Sequence, residues 1–354
     1  MNIISLMSGT SLDGLDIAFT SITEGGRRFE LLAAETVPYP EEWVSRLSNL
    51  ERASALEYAL ADVELGHYFG KCINAFRERH PGEVDLVASH GHTIFHQPEK
   101  GLTTQIGQGP AIAAETSLPV AYDFRTLDVA LGGQGAPLVP IGDELLFGAY
   151  GACLNLGGFS NISFNHTADP ERRTAFDVSP CNMALNHLAR LTGAPFDKGG
   201  AMAASGKVNG ELLAALNGLD YYHRQPPKSL GKEWFVSQFL PLLSSVPPVE
   251  AIATVTEHVA YQISRSLPER HTGKSVLLVT GGGAQNAYLL SRLQHYATGW
   301  DIEVPSEQIL EYKEAIIFAL LGYLRYEGKP NCLQSVTGAR YGSVGGAICT
   351  PLPK

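Results

Sequence analysis

The sequence predicts an α/β protein of two lobes, with mixed sheets flanked by helices, and three observations carry that prediction. At 354 residues the chain is longer than a single hydrophobic core usually grows, so two lobes are the default. Its 37 glycines and 21 prolines punctuate short apolar runs instead of gathering into a linker, which makes strands, turns and helices alternate. A hairpin near the N-terminus also returns in the second half. Ile4-Ser5-Leu6-Met7-Ser8-Gly9 with Leu15-Asp16-Ile17-Ala18-Phe19 parallels Leu154-Asn155-Leu156-Gly157-Gly158 with Asn161-Ile162-Ser163-Phe164. Such an internal repeat suggests a duplicated β-rich lobe with helices behind each sheet.

The elements follow in order. Ile3–Met7 reads as a strand, Gly9–Gly14 as a turn and Leu15–Ile22 as the returning strand. Leu50–Arg79 has helical spacing of apolar positions and stops before Pro81. Val84–Ser89 is a buried strand running into His90-Gly91-His92, and Val120–Asp123 is a further strand end. The glycine-rich loop Leu131–Pro137 comes next. In the second half Cys153–Leu156 and Asn161–Phe164 are strands around Gly157-Gly158, and Asn182–Leu191 and Thr254–Ser266 are helices. Ser275–Thr280 is a strand entering Gly281-Gly282-Gly283, followed by the helices Asn286–Leu293 and Lys313–Tyr326.

Composition narrows the function. The 44% hydrophobic and 18% charged content is that of a folded globular chain. With 26 basic against 36 acidic residues, the formal net charge of −10 argues against a nucleic-acid or anionic-membrane surface. A small anion can still bind where backbone N–H groups and a cation supply positive potential. Five scattered cysteines without a CxxC spacing fit a reduced compartment, not a disulfide framework or thiolate zinc site. Met1 runs almost directly into a strand without a signal-peptide pattern, and Ala315–Leu324 is too short to span a bilayer. The expectation is a cytoplasmic protein.

Several motifs carry chemistry. In Gly9-Thr10-Ser11-Leu12-Asp13-Gly14-Leu15-Asp16 a tight turn offers converging N–H groups and hydroxyls to a phosphate. Asp13 and Asp16 beside a phosphate make sense with Mg²⁺ between them, although Asp13-Gly14 is also ordinary turn chemistry. The spacing is neither the P-loop nor the dinucleotide fingerprint. Gly281-Gly282-Gly283 between strand and helix lets a flat ligand lie on the backbone, with Asn286 in reach to bond it; a plain βα loop is the other reading. Asp177, in Phe176-Asp177-Val178-Ser179-Pro180-Cys181-Asn182, is placed where a strand ends and a helix begins, as a helix cap or a general base. Asp123, Arg125 and Asp128 form a polar cluster suited to a carboxylate ligand or to a salt bridge. His90, His92 and His96 raise a metal site, against which stands a role as hydrogen-bonding groups. Glu314 reads as a first-turn helix acid, and Lys228 and Lys232 as surface or interlobe contacts.

Taken together, the segments MSGTSLDGLD (7–16), SHGHTIFH (89–96), DFRTLDVALGGQGAPLVP (123–140), LNLGGFSNIS (154–163), FDVSPCN (176–182), PKSLGKEWF (227–235), VTGGGAQN (279–286), KEAIIFALL (313–321) and SVTGA (335–339) resemble the anhydro-N-acetylmuramic acid kinases. That family lies in the acetate and sugar kinase/Hsc70/actin superfamily. The resemblance implies the actin-like, ribonuclease H-like ATPase fold with a cleft between lobes. It divides the chain into residues 1–126 with 332–354 as the N-terminal lobe and 127–331 as the C-terminal lobe. It implies ATP and Mg²⁺ as cofactors, an amino-sugar substrate, 1,6-anhydro-N-acetylmuramic acid, from recycled peptidoglycan, and the homodimer usual for the family. By the family pattern Asp177 is the base that activates a water, and Glu314 supports that water or holds the sugar. Ser11, His92, Thr93, Asp123 and Arg125 match substrate contacts, Arg125 for the lactyl carboxylate. Residues Gly9–Asp16 with Gly157 and Gly158 would face the phosphates, Asp13 and Asp16 the Mg²⁺, and Gly281–Gly283 with Asn286 the adenosine. The chain departs from the common pattern at His92, where Gln is usual, at Ser179, where Gly is usual, and at Tyr312, where an acid is frequent. Competing readings are a superfamily kinase for another sugar or carboxylate, a nucleotide-driven conformational module, and a His-rich metallohydrolase.

Overall fold

The structure, a computed structural model, describes residues 1–9, 12–166, 169–269 and 275–351. The chain forms two compact units, Met1–Leu146 with Tyr312–Lys354, and Phe147–Glu311.

In the first unit β1 (Asn2–Ser8) pairs antiparallel with β2 (Gly14–Thr23), and β2 with β3 (Arg28–Pro38). On its other side β1 pairs parallel with β4 (Leu86–Gln97), which carries β5 (Leu102–Ile106) as an antiparallel hairpin and pairs parallel with β6 (Val120–Tyr122). A strand from Ala347 to Cys349 closes the sheet against β6. The central strand β1 is apolar at successive positions because it is covered on both faces. Ile4 and Leu6 meet Leu65, Phe69 and Phe76 of the helix Ala55–Arg79, whereas Ile3 packs with Phe318, Leu320 and Leu321 of the helix Glu307–Tyr326.

In the second unit β7 (Ala152–Leu156) pairs antiparallel with β8 (Phe159–His166), and β8 with β9 (Asp169–Pro180). β10 (Ser275–Thr280) and β11 (Trp300–Glu303) extend the sheet from β7 in parallel. The orders β6-β4-β1-β2-β3 and β11-β10-β7-β8-β9 are therefore the same arrangement twice, three antiparallel strands and then two parallel ones. This is the ribonuclease H-like order, and it turns the hairpin repeat of the sequence into a duplicated sheet. Leu154, Leu277 and Val279 form its core with Leu185 and Leu188 of the helix Asn182–Leu191 and with Val255 and Val259 of the helix Pro248–Ser266.

Several sequence expectations shift. The units part at 146/147 and 311/312, not at 126/127 and 331/332. Leu138, Ile141 and the helix from Ile317 to Leu324 share one core with Ile3 and Leu86 of the first sheet, which keeps both segments in that unit. The helix expected from Leu50 starts at Ala55, where Ser54 and Glu57 form a capping box. β9 runs on to Pro180, so Asp177 lies inside a strand and caps no helix; Cys181 holds the N-cap position. The helix containing Glu314 starts at Glu307, which puts that acid well beyond the first turn. Among the described residues, no helix is long and apolar enough to cross a membrane.

Candidate active site

In the first unit the candidate residues gather near the C-terminal end of β1 and its neighbours. Thr10 and Ser11 of the glycine turn lie outside the described residues. Around them, Leu12 is left-handed (φ 62°) and donates its N–H to Gly9 O at 3.3 Å. Gly14 opens β2 where a Cβ would come within 2.7 Å of Val37 O, so its glycine serves strand packing, and Leu15 is buried in the core. Asp16 is half-buried and accepts from Thr36 Oγ1 at 2.6 Å, while Asp13 is exposed.

The three histidines do not converge. His92 is buried with Nδ1 2.8 Å from Ser8 Oγ, which in turn lies 2.6 Å from Tyr39 OH. Burial lowers its pKa to about 4, so its ring is neutral. His90 Nε2 faces Arg125, and His96 Nδ1 faces Thr103. Among the described residues no three His, Cys, Asp or Glu side chains gather where they could hold a metal ion. Thr93 Oγ1 accepts from Gln105 Nε2 at 3.3 Å. Asp123 is left-handed (φ 58°) and its Oδ1 accepts from Thr126 N and Oγ1.

Arg125 and Glu314 belong to one electrostatic neighbourhood. Burial lowers the Arg125 pKa to about 10, and the Glu314 charge partly restores it. Solvent still reaches Glu314, yet enough protein surrounds it to raise its carboxyl pKa, against the pull of Arg125 and Lys313. The neighbouring Lys313 is buried in an ion pair with Asp143 at 2.6 Å.

In the second unit Asp177 is held by a segment whose lysines sequence reasoning read as surface or interlobe contacts. Its Oδ2 accepts from Leu230 N at 2.9 Å, its N–H donates to Lys228 O at 3.3 Å, and its carbonyl accepts from Tyr221 OH at 2.6 Å. Desolvation raises its pKa, and the Leu230 N–H only partly offsets this. Lys228 is not a plain surface lysine: its ammonium lies 4.8 Å over the Tyr221 ring and 5.5 Å over Phe176. Pro227 and Gly231, on either side of Lys228-Ser229-Leu230, are the sequence sign of a fixed turn.

The two remaining glycine turns border the same helix. Gly157 O and Gly158 O accept from N–H groups of Cys181, Asn182 and Met183, closing the start of the helix Asn182–Leu191. Gly281 is left-handed (φ 81°), and a Cβ there would stand 2.4 Å from Asn155 Oδ1; at Gly283 it would stand 2.6 Å from Leu156 Cβ. Those two glycines answer to the close approach of β7. Gly282 alone of the three is open, with its nearest such contact 3.8 Å away at Asn182 Nδ2. It lines a cavity of about 250 Å³ with Asn182, Phe196, Gly283 and Asn286. Asn286 Oδ1 caps the helix Ala287–Tyr296 through Leu289 N.

The family model described as anhydro-N-acetylmuramic acid kinase matches residues 1–351. The chain belongs to this family. An anhydro-N-acetylmuramic acid kinase of Pseudomonas putida is 38% identical over 98% of both chains, one of Streptomyces coelicolor 37% over 98% of this chain and 93% of its own, and one of Gloeobacter violaceus 34% over 95% of both. A solved xylulose kinase from Lactobacillus acidophilus is loosely similar, at TM-score 0.47 and 11% identity over 99% of this chain and 94% of that one. Within this kinase family member, the first unit brings together Arg125, Glu314 and Asp16, and the second holds Asp177 and the glycine cavity. Sequence reasoning missed His90 as the partner of Arg125, the Ser8–Tyr39–His92 chain, and the place of Lys228 over Tyr221 and Phe176.

Proposed function

We propose that this chain phosphorylates 1,6-anhydro-N-acetylmuramic acid with ATP, giving N-acetylmuramic acid 6-phosphate and ADP, in the recycling of peptidoglycan. The match to the family over nearly the whole chain carries this reading. In the anhydro sugar O6 is tied to C1, so there is no hydroxyl for a simple kinase base to deprotonate. Water forms a bond to C1, the C1–O6 bond breaks, and O6 takes the γ-phosphoryl group while ADP leaves. The base takes the proton of that water.

Asp177 suits the role of base. It is a half-buried carboxylate fixed by Leu230, and burial raises its pKa above the ordinary value. Glu314, within the field of Arg125, supports the same water or the sugar. Arg125 is suited to the lactyl carboxylate, with Ser11, His92, Thr93 and Asp123 as further contacts by family pattern. The cavity at Gly282 takes the adenosine, and the turns at Gly9–Asp16 and Gly157-Gly158 take the phosphates. Mg²⁺ asks for only one or two protein carboxylates beside phosphate oxygens. Asp16, half-buried and oriented by Thr36, fits that donor set, with Asp13 on the adjacent turn. The ion would neutralise charge on the phosphates.

The test is ADP release against anhydro-N-acetylmuramic acid, N-acetylmuramic acid and N-acetylglucosamine, repeated in ¹⁸O-water. ADP formed only with the anhydro sugar, and label at C1 of the product, is the expected result. Product without label at C1 rules out the coupled opening, and ATP turnover indifferent to every sugar rules out the kinase.

A further inference from the structure

We propose that His90 is a positioning residue: with the loop Leu131–Pro137 it orients Arg125 so that the guanidinium meets an anionic substrate. The identity of that substrate rests on the sugar-kinase reading above. Arg125 donates through Nε (3.1 Å) and Nη2 (3.0 Å) to one atom, His90 Nε2, and through Nη1 to Gly135 O at 2.6 Å. A guanidinium has five N–H groups. Three are spent on these supports, and one remains on each terminal nitrogen, the pair that forks onto a carboxylate.

The supports are themselves fixed. His90 is 5% exposed, and its ring lies 4.7 Å from that of Phe318. Because Nε2 accepts from a permanent cation, the ring is neutral and its proton sits on Nδ1. Gly135 is left-handed (φ 66°), and a Cβ would stand 2.6 Å from Val129 Cγ2, so only glycine brings this carbonyl to Arg125 without strain. Its N–H donates to Asp128 Oδ2 at 2.7 Å. Asp128 is buried, and its Oδ1 accepts from Thr337 Oγ1 at 2.8 Å and Cys332 Sγ at 3.0 Å. The loop is thereby anchored to the C-terminal segment.

The decisive feature is the charge of the supports. A buried arginine with a purely structural role is normally matched by a carboxylate, because a desolvated charge without a counter-ion is costly. Here both contacts are neutral acceptors, and Glu314 acts on Arg125 through its field. His90 and Gly135 therefore fix the geometry of Arg125 while leaving its charge for a ligand.

The experiment compares wild type, His90→Leu, His90→Gln, Arg125→Ala and the double variant His90→Leu/Arg125→Ala. Steady-state kinetics are measured with anhydro-N-acetylmuramic acid, and with 1,6-anhydro-N-acetylglucosamine, which lacks the carboxylate. His90→Leu is expected to raise KM for the carboxylated sugar about tenfold, with little change for the uncharged sugar or ATP. His90→Gln, which keeps an acceptor, recovers most of the loss, and His90→Leu adds nothing once Arg125 is gone. Equal increases for both sugars and ATP, or additive losses in the double variant, overturn the proposal. If wild type turns over neither sugar, the functional reading has failed and the positioning is read without substrate. The ¹⁵N-resolved Arg125 Nε–H should then exchange slowly in wild type and fast in His90→Leu; fast exchange in both overturns it.

Discussion

Leu230 donates its backbone N–H to Asp177 Oδ2 at 2.9 Å, so the carboxylate proposed as base is oriented by a loop fifty-three residues away in sequence. Tyr221 and Lys228 bond the backbone of the same residue, which leaves Asp177 little freedom to turn. Burial outweighs the single N–H and lifts its pKa above the ordinary 3.8. A base must be deprotonated to act. The acid limb of kcat/KM should therefore have its midpoint above that of an ordinary aspartate, and Asp177→Asn should lose about 10²–10⁴-fold in turnover with ATP binding retained. Near-normal turnover in this variant excludes Asp177 as the base.

The same carboxylate should cost stability. Between the ordinary and the raised pKa the folded state keeps a proton that the unfolded chain releases, so stability falls as pH rises through that window. Asparagine does not titrate, and its side-chain oxygen can still accept from Leu230. Asp177→Asn should melt at or above the wild-type temperature at neutral pH, and the difference should shrink as pH falls toward the ordinary value. A variant less stable than wild type at neutral pH would mean that the bond to Leu230 needs the full charge and outweighs desolvation.

What the sequence showed and what it hid follow from the range of the interactions. The hairpins at Gly9–Gly14 and Gly157-Gly158 were legible because apolar strands and glycine turns are local patterns. β3 was not, because this edge strand has no fully buried residue and its Leu-Leu-Ala-Ala run has no clear alternation. Asp177 was placed where a strand ends and a helix begins, yet β9 runs on to Pro180, opposite Phe159. His90 looked like part of a histidine cluster, since nothing local points to Arg125 thirty-five residues on. Lys228 read as a surface or interlobe contact because the rings beneath it belong to Phe176 and Tyr221.

Lys313 and Asp143 form a buried pair, with side chains 7% and 6% exposed. Breaking such a buried pair by removing one member typically costs about 3–5 kcal/mol, whereas replacing both with apolar groups is often near neutral. Lys313→Met should therefore lower the urea midpoint sharply, and Lys313→Met/Asp143→Leu should recover most of the loss. Activity should not recover with it, because Glu314 would still lack the part of its positive field that Lys313 adds to that of Arg125. A double variant no more stable than the single one would show that the charges are needed by other groups around them.

The three glycines before the helix Ala287–Tyr296 make separable predictions. At Gly281 a side chain meets both a left-handed backbone and Asn155 Oδ1 at 2.4 Å, and at Gly283 it meets Leu156. Alanine at either position should lower the melting temperature, with ATP affinity falling as the β7 contact opens. At Gly282 there is room, since a Cβ would come no closer than 3.8 Å to Asn182 Nδ2, and the residue faces the cavity. Gly282→Ala should fold as wild type does and raise KM for ATP several-fold, leaving KM for the sugar unchanged. Larger residues at Gly282 should deepen the ATP defect in order of size without further loss of stability. If Gly282 variants bind ATP normally, the adenosine lies elsewhere, and the glycine run exists for packing against β7 alone.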